Sequence, residues 1–267
     1  MKTGRKGLYI FLIIFLSLIV LGLSALLVIG LTGKGGLFGF HFGQSSTSSN
    51  LVIDKEYDFE ELNKVDVKIK SGSLKIVNTE SEDDKVSLKF YADKDSYAYV
   101  DDEKDSLKIE DRSDDCHFFC INWIGVKIEL ALPKDFAGDL NIDTSYGDVD
   151  IEKFELASLV IDSSAGDVKI GSVKDVKASL SAGNFELGDC LGEARIDSSM
   201  GNVKIRELHL TKDSQIDLSM GNVEIDNVGD VNVEADTSMG DQNIEGGDRK
   251  SNITLKIDNS MGNITVR

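Results

Sequence analysis

The sequence predicts an all-β protein: a parallel single-stranded β-helix, or β-solenoid, built of coils of about 19 residues and preceded by one transmembrane helix. Three observations carry this expectation. From Leu51 onward apolar and polar residues alternate, as in VDVKIKSGSLKIV, VSLKFYA, SLKIE and VKIELALP, with no run at helical spacing; one face apolar and one face wet is the signature of strands. A nine-residue word, DSSMGNVKI at Asp197, returns as DLSMGNVEI at Asp217, DTSMGDQNI at Asp236 and DNSMGNITV at Asp258. Finally, a long uncharged apolar run begins at Leu8.

The amino-terminal part divides into three short segments. Residues 1–7 form a basic cytoplasmic tail carrying Lys2, Arg5 and Lys6. Residues 8–32 form a transmembrane signal anchor, since 24 uncharged residues from Leu8 to Leu31 would make a helix of roughly 36 Å against a bilayer core of about 30 Å. A cleaved secretory signal and a buried core helix are the other readings of this run; its length and the poor cleavage site in SALLVIGLTG speak for the anchor. The basic residues before the span place the N-terminus in the cytoplasm and the remainder outside, making a single-pass protein of the cell membrane. Residues 33–50, GKGGLFGFHFGQSSTSSN, read as a Gly/Ser-rich linker.

Residues 51–267 form the extracytoplasmic β-repeat domain. They hold all 47 acidic side chains and, once Lys2, Arg5, Lys6 and Lys34 are taken from the 29 basic ones, 25 bases, a formal charge of −22. Such a surface excludes nucleic acid and other polyanions as partners, because binding them rests on Lys and Arg neutralising phosphates. An unknown protein or cell-wall ligand is expected instead, with the membrane reached through the N-terminal helix.

The repeat is read by aligning Gly147, Gly166, Gly183, Gly201, Gly221, Gly240 and Gly262. A serine stands two residues before each, Asp or Asn one residue after, and an aliphatic residue four after. Each unit therefore reads as a strand, a turn on glycine, where positive φ costs nothing, and a second strand. Stacked coils and an antiparallel meander both satisfy this pattern. Stacking is favoured because it makes equal positions neighbours: methionines then form a column, and Asn side chains pass hydrogen bonds along the axis. That explains why every methionine but the first, Met200, Met220, Met239 and Met261, sits in an SMG corner. Seven such coils are counted.

No cofactor and no enzymatic activity are expected. HExxH, GxSxG and phosphate-loop motifs are absent, and the repeats have few aromatics on which a sugar would stack. Calcium is the metal that the repeats could take. Asp143, Asp162, Asp197, Asp217, Asp236 and Asp258 recur four residues before the glycines and would line up oxygens on neighbouring coils, although the spacing matches neither an EF-hand nor the nonapeptide calcium repeat; solvated turn acids explain the row equally. Cys116 and Cys120 bracket HFF, as a disulfide, as free thiols or, with His117, as a metal site. Cys190 is left over. Phe118, Phe119 and Trp123 form an aromatic cluster, either a cap on the first coil or a patch for a partner.

The order of VDVKIKSGSLKIV, then VKIELALPKDFAGDLNIDTSYGDVDIEKF, then repeated S-x-G-D/N-V-x-I units resembles the bacterial adhesin-like β-strand-repeat family, domains of unknown function related to toast-rack domains. The resemblance spans residues 51–267. It implies a β-helix-like fold at the cell envelope and supplies no catalytic residues. Two roles are compatible with it: an adhesin-like interaction module, and an accessory component of an envelope stress response. A calcium-stabilised β-helix that binds or cleaves polysaccharide is a third, weaker reading.

Overall fold

The computed structural model describes residues 47–59, 61–79, 85–113 and 125–267. The apolar run at 8–32, the linker up to residue 46, and Cys116, His117, Phe118, Phe119, Cys120 and Trp123 lie outside the described residues. No helix among the described residues is long and apolar enough to cross a membrane. Thr47, near the end of the expected linker, bridges Gly125, and the Ser48 amide donates to the Gly125 carbonyl at 2.8 Å, so Thr47 and Ser48 are tied to the β domain.

The domain is a stack of levels, each contributing one strand to a first face and, after a corner, one strand to a second face. The alternating pattern makes the strands, and the corner makes the level. Two levels run through the corner as single long strands, β2 (Lys64–Asn78) and β7 (Asp139–Lys153). The others are pairs. In chain order they are β5 (Ser106–Asp111) with β6 (Val126–Leu132), β8 (Ser158–Ala165) with β9 (Val168–Val173), and β10 (Val176–Ala182) with β11 (Phe185–Cys190). There follow β12 (Ala194–Met200) with β13 (Val203–Leu208), β14 (Ser214–Met220) with β15 (Val223–Val228), β16 (Asn232–Met239) with β17 (Gln242–Ile244), and β18 (Thr254–Met261) with β19 (Ile264–Val266). All pair in parallel and in register.

The stack departs from the sequence expectation in three ways. It has nine levels rather than seven. The β2 level escaped the alignment because Ser73 follows Gly72 where the others have Asp or Asn, and the β5/β6 level because Val126 stands opposite Gly72. It is also not wholly parallel: β1 (Leu51–Tyr57) and β3 (Val86–Tyr91) extend the second face antiparallel beyond β6, and β4 (Ala98–Glu103) extends the first face antiparallel beyond β5. Lastly, the spatial order of levels is not the chain order. β2 lies between β5/β6 and β7, and the C-terminal β18/β19 lies between β14/β15 and β16/β17.

Inward side chains of both faces form one continuous core. Columns of like residues run through it: Ile142, Ile161, Ala178, Ile196, Ile216, Ile257 on the first face, and Ile151, Ile170, Leu187, Ile205, Ile225, Val266 on the second. The aliphatic residue four after each glycine is this second column, and its burial is what the spacing reflects. The β16/β17 level closes one end. There Gln242 replaces the inward valine, and Ile244 is 39% exposed.

Candidate functional site

The corner is where the repeat signature resides, and its chemistry follows from stacking. Gly221 has φ +140°, and a Cβ added to it would lie 1.9 Å from the Gly201 carbonyl oxygen. Glycine is thus required twice, for the backbone conformation and because the level beneath leaves no room. The same contact recurs up the column, in the spatial order Gly72, Gly147, Gly166, Gly183, Gly201, Gly221, Gly262, Gly240.

Beside the glycines the Asp/Asn residues form a ladder. Each side-chain oxygen accepts from the backbone amide of the next level: Asp148 from Asp167 at 3.0 Å, Asp167 from Asn184 at 2.8 Å, Asn184 from Asn202 at 3.1 Å, Asn202 from Asn222 at 3.0 Å. The last rungs run from Asn222 to Asn263 at 2.9 Å and from Asn263 to Asp241 at 3.0 Å. Asn184, Asn202 and Asn222 also donate their side-chain amides downward at 3.1–3.2 Å. These bonds satisfy the Asx amides between backbone bonds that already join the levels at the turn, such as Gly201 N–H to the Met220 carbonyl at 3.0 Å and Val203 N–H to the Asn222 carbonyl at 2.9 Å, so the expected axial hydrogen bonding is present and its role at these positions is structural.

The candidate site is the outer surface of the first face. Asp143, Asp162, Asp197, Asp217, Asp258 and Asp236 stand in one column, interrupted by Ser179. Neighbours are one strand apart, about 4.8 Å. The serines two positions on lie alongside, and together they line two open grooves of about 310 and 200 Å³. Partners are few: Lys68 pairs with Asp143 at 2.9 Å, Gln215 donates to Asp217 at 2.8 Å, and Lys256 pairs with Asp258 at 2.5 Å. The six carboxylates form a column, one per level, rather than a cage; among the described residues no group of three or more His, Cys, Asp or Glu side chains is placed to hold a metal ion.

The outer surface of the second face solves the same problem differently. In-register stacking brings equal positions together, and here the charges alternate across nine strands: Asp54, Lys89, Glu129, Lys75, Asp150, Lys169, Glu186, Lys204, Glu224. Opposite charges side by side stabilise a sheet, and like charges destabilise it. The alternation is legible three residues after each aligned glycine from Asp150 to Glu224, but the remaining four members sit on strands outside that alignment. Against this neutralised face, the acidic column of the first face stands out as charge that ion pairs offset only in part, at Asp143 and Asp258.

Two further features bear on chemistry. The methionine column is formed as expected, in the order Met200, Met220, Met261, Met239, but it faces away from the core, with exposures of 53, 46, 37 and 62%. Tyr146 continues the same position at the other end and is also exposed. Cys190 is buried, its thiol donating to the Lys174 carbonyl at 3.2 Å, and burial pushes its pKa up to about 11. A thiol so placed is protonated and shielded, the opposite of a nucleophile. His209 lies at the surface beside Glu207 at 3.4 Å.

Among solved structures, the chain is similar to a "putative adhesin" from Bacteroides fragilis, with 20% identity over 83% of this chain and 99% of that one and a TM-score of 0.45. A "putative cell adhesion protein" from Clostridium sporogenes shares 15% identity over 80% and 99%, with a TM-score of 0.38. A "putative lipid binding protein" from Parabacteroides distasonis shares 14% over 82% and 98%, with a TM-score of 0.43. No curated protein matches the chain. Residues 46–267 match the model of the family described as Toastrack DUF4097, and the chain belongs to that family.

Proposed function

We propose that this protein is a non-enzymatic, adhesin-like interaction module of the cell envelope, anchored in the membrane by the apolar segment at 8–32 and presenting its β-stack outside the cell. The observation that carries the reading is the contrast between the two outer faces: one is neutralised by alternating charge, the other displays a column of six aspartates, broken only at Ser179 and bordered by serines. A regular acidic column suits a ligand that is extended and basic, or carries basic groups at its surface, since complementary charge steers association and sets register. The first face is the binding face, and the second is structural.

The test is photo-crosslinking in living cells from the full chain, with a photoreactive residue at Ser199 on the first face and, as control, at Lys204 on the second. Ligands captured from Ser199, absent from Lys204 and lost at high ionic strength are expected. Equal capture from both positions overturns the reading. Capture of a membrane-embedded signalling protein alone would replace it with the accessory role in envelope stress.

A further inference from the structure

We infer that the corner of the stack carries a binding site for a soft monovalent cation of the Cu(I) class, made by the thioethers of Met200, Met220, Met261 and Met239. The core contains about fifty buried apolar side chains and not one methionine, although a flexible thioether is the ordinary filler of irregular cores. All four methionines beyond Met1 instead occupy one column that faces solvent. A solvent-facing strand position gains little from burial, and strands favour β-branched and aromatic residues there. What methionine brings to such a position that leucine or valine lacks is sulfur.

Stacking then sets the spacing. Met220 is in register with Met200 on one side and Met261 on the other, and Met261 with Met239. Neighbours are therefore separated by the inter-strand distance of about 4.8 Å, roughly twice a metal–sulfur bond of about 2.3 Å, so one ion fits between adjacent side chains without moving the backbone. Thioethers are neutral and soft; they select Cu(I) over hard ions such as Ca²⁺ or Mg²⁺, and, carrying no ionisable proton, they bind without releasing one. The three rotatable bonds of each side chain let a third sulfur close on the ion. The strongly acidic surface around the column raises the local concentration of any cation. Intercalation of the C-terminal level is what makes the row continuous, because Met261 fills the place between Met220 and Met239.

The site is tested on the full chain in mild detergent, labelled with ¹³C at the methionine methyls and titrated with Ag(I), a soft ion of the same charge that keeps its oxidation state in air. The methyl signals report the thioethers directly, so binding at cysteines does not confuse the readout. The signals of the four corner methionines are expected to shift and that of Met1 to stay. In the double variant Met220→Leu, Met261→Leu, which keeps shape and removes sulfur, the apparent affinity at Met200 and Met239 is expected to fall by at least about tenfold. Unmoved methyl signals in the native chain at a tenfold excess of Ag(I), read at about millimolar protein, overturn the proposal irrespective of how the variant folds. So does an unchanged affinity in a folded variant.

Discussion

Met220 lies beside Met261, 41 positions later in the chain, and not beside Met239, its next counterpart in sequence. The C-terminal strands β18 and β19 are thus an interior level, and the preceding β16 and β17 are the end of the stack. Burial follows position in space. Ile257 on β18 is fully buried, whereas Ile244 on β17 is 39% exposed. Ile257→Ala is expected to lower unfolding free energy by about 2–5 kcal/mol, and Ile244→Ala by about 1 kcal/mol or less. Denaturant unfolding of the two variants decides it; equal losses would place the C-terminal level at the end.

The corner ladder gives a second comparison. Asn222 accepts from the Asn263 amide and donates to the Asn202 side-chain oxygen at 3.2 Å. Asn222→Asp keeps the acceptor, loses the donor and sets a carboxylate against that oxygen, for an expected cost of about 1–2 kcal/mol. Gly221→Ala meets both the positive φ and the Gly201 carbonyl, and is expected to cost more than about 3 kcal/mol. Should the alanine variant melt within a degree or two of the native protein, the stacked corner is wrong.

How much of this was legible in the sequence depends on the kind of information. The coil, its corner glycine, the inward aliphatic columns and the Asx ladder were readable because parallel in-register stacking repeats each position, and repetition is visible in one dimension. Met200, Met220, Met239 and Met261 announced a column for that reason. Their order in space was not readable from the repeat itself: levels of equal phase are interchangeable partners, and DTSMGDQNI and DNSMGNITV carry the same corner. Gln242 is the one hint, a polar residue where every inner level has an apolar one. The levels containing Gly72 and Val126 were missed because the Asx residue and the glycine, respectively, are replaced there. The acidic column was visible residue by residue, but its contrast with the alternating column emerged only once Asp54, Lys89, Glu129 and Lys75 were brought into line with the repeats.

Cys190 provides a probe of global stability. With its thiol buried and its pKa near 11, alkylation by iodoacetamide at pH 8 is expected only through unfolding, so its rate should track denaturant concentration. Rapid modification of Cys190 in the native protein, located by peptide mapping, would contradict the packing.

Asp175 ties three consecutive connections together, accepting from the Glu193 amide at 2.7 Å and pairing with Lys212 at 2.9 Å. Partial burial raises its pKa, but the Lys212 ammonium and the Glu193 amide outweigh this and hold it below the usual carboxylate range. A depressed folded-state pKa adds stability above the unfolded value of about 3.9 and loses it as pH falls through the folded one. Asp175→Asn should therefore lower the melting temperature near pH 6, and the gap to the native protein should close below about pH 4. A gap that stays constant down to pH 2 would remove the linkage.

The two outer faces predict opposite signs for charge reversal. Lys169 sits between Asp150 and Glu186 in the alternating column. Lys169→Glu would put three like charges in a row and is expected to destabilise by about 1 kcal/mol. Asp162 sits between Asp143 and Ser179 in the acidic column, so Asp162→Lys relieves repulsion and is expected to stabilise by about 0.5 kcal/mol. Both effects should shrink in 1 M salt, where screening acts over about 3 Å. A stabilising Asp162→Lys that also abolishes crosslinking from Ser199 would mean that the aspartates are retained for binding at a cost in stability; a destabilising one would mean that the column already has its counter-charges within the fold.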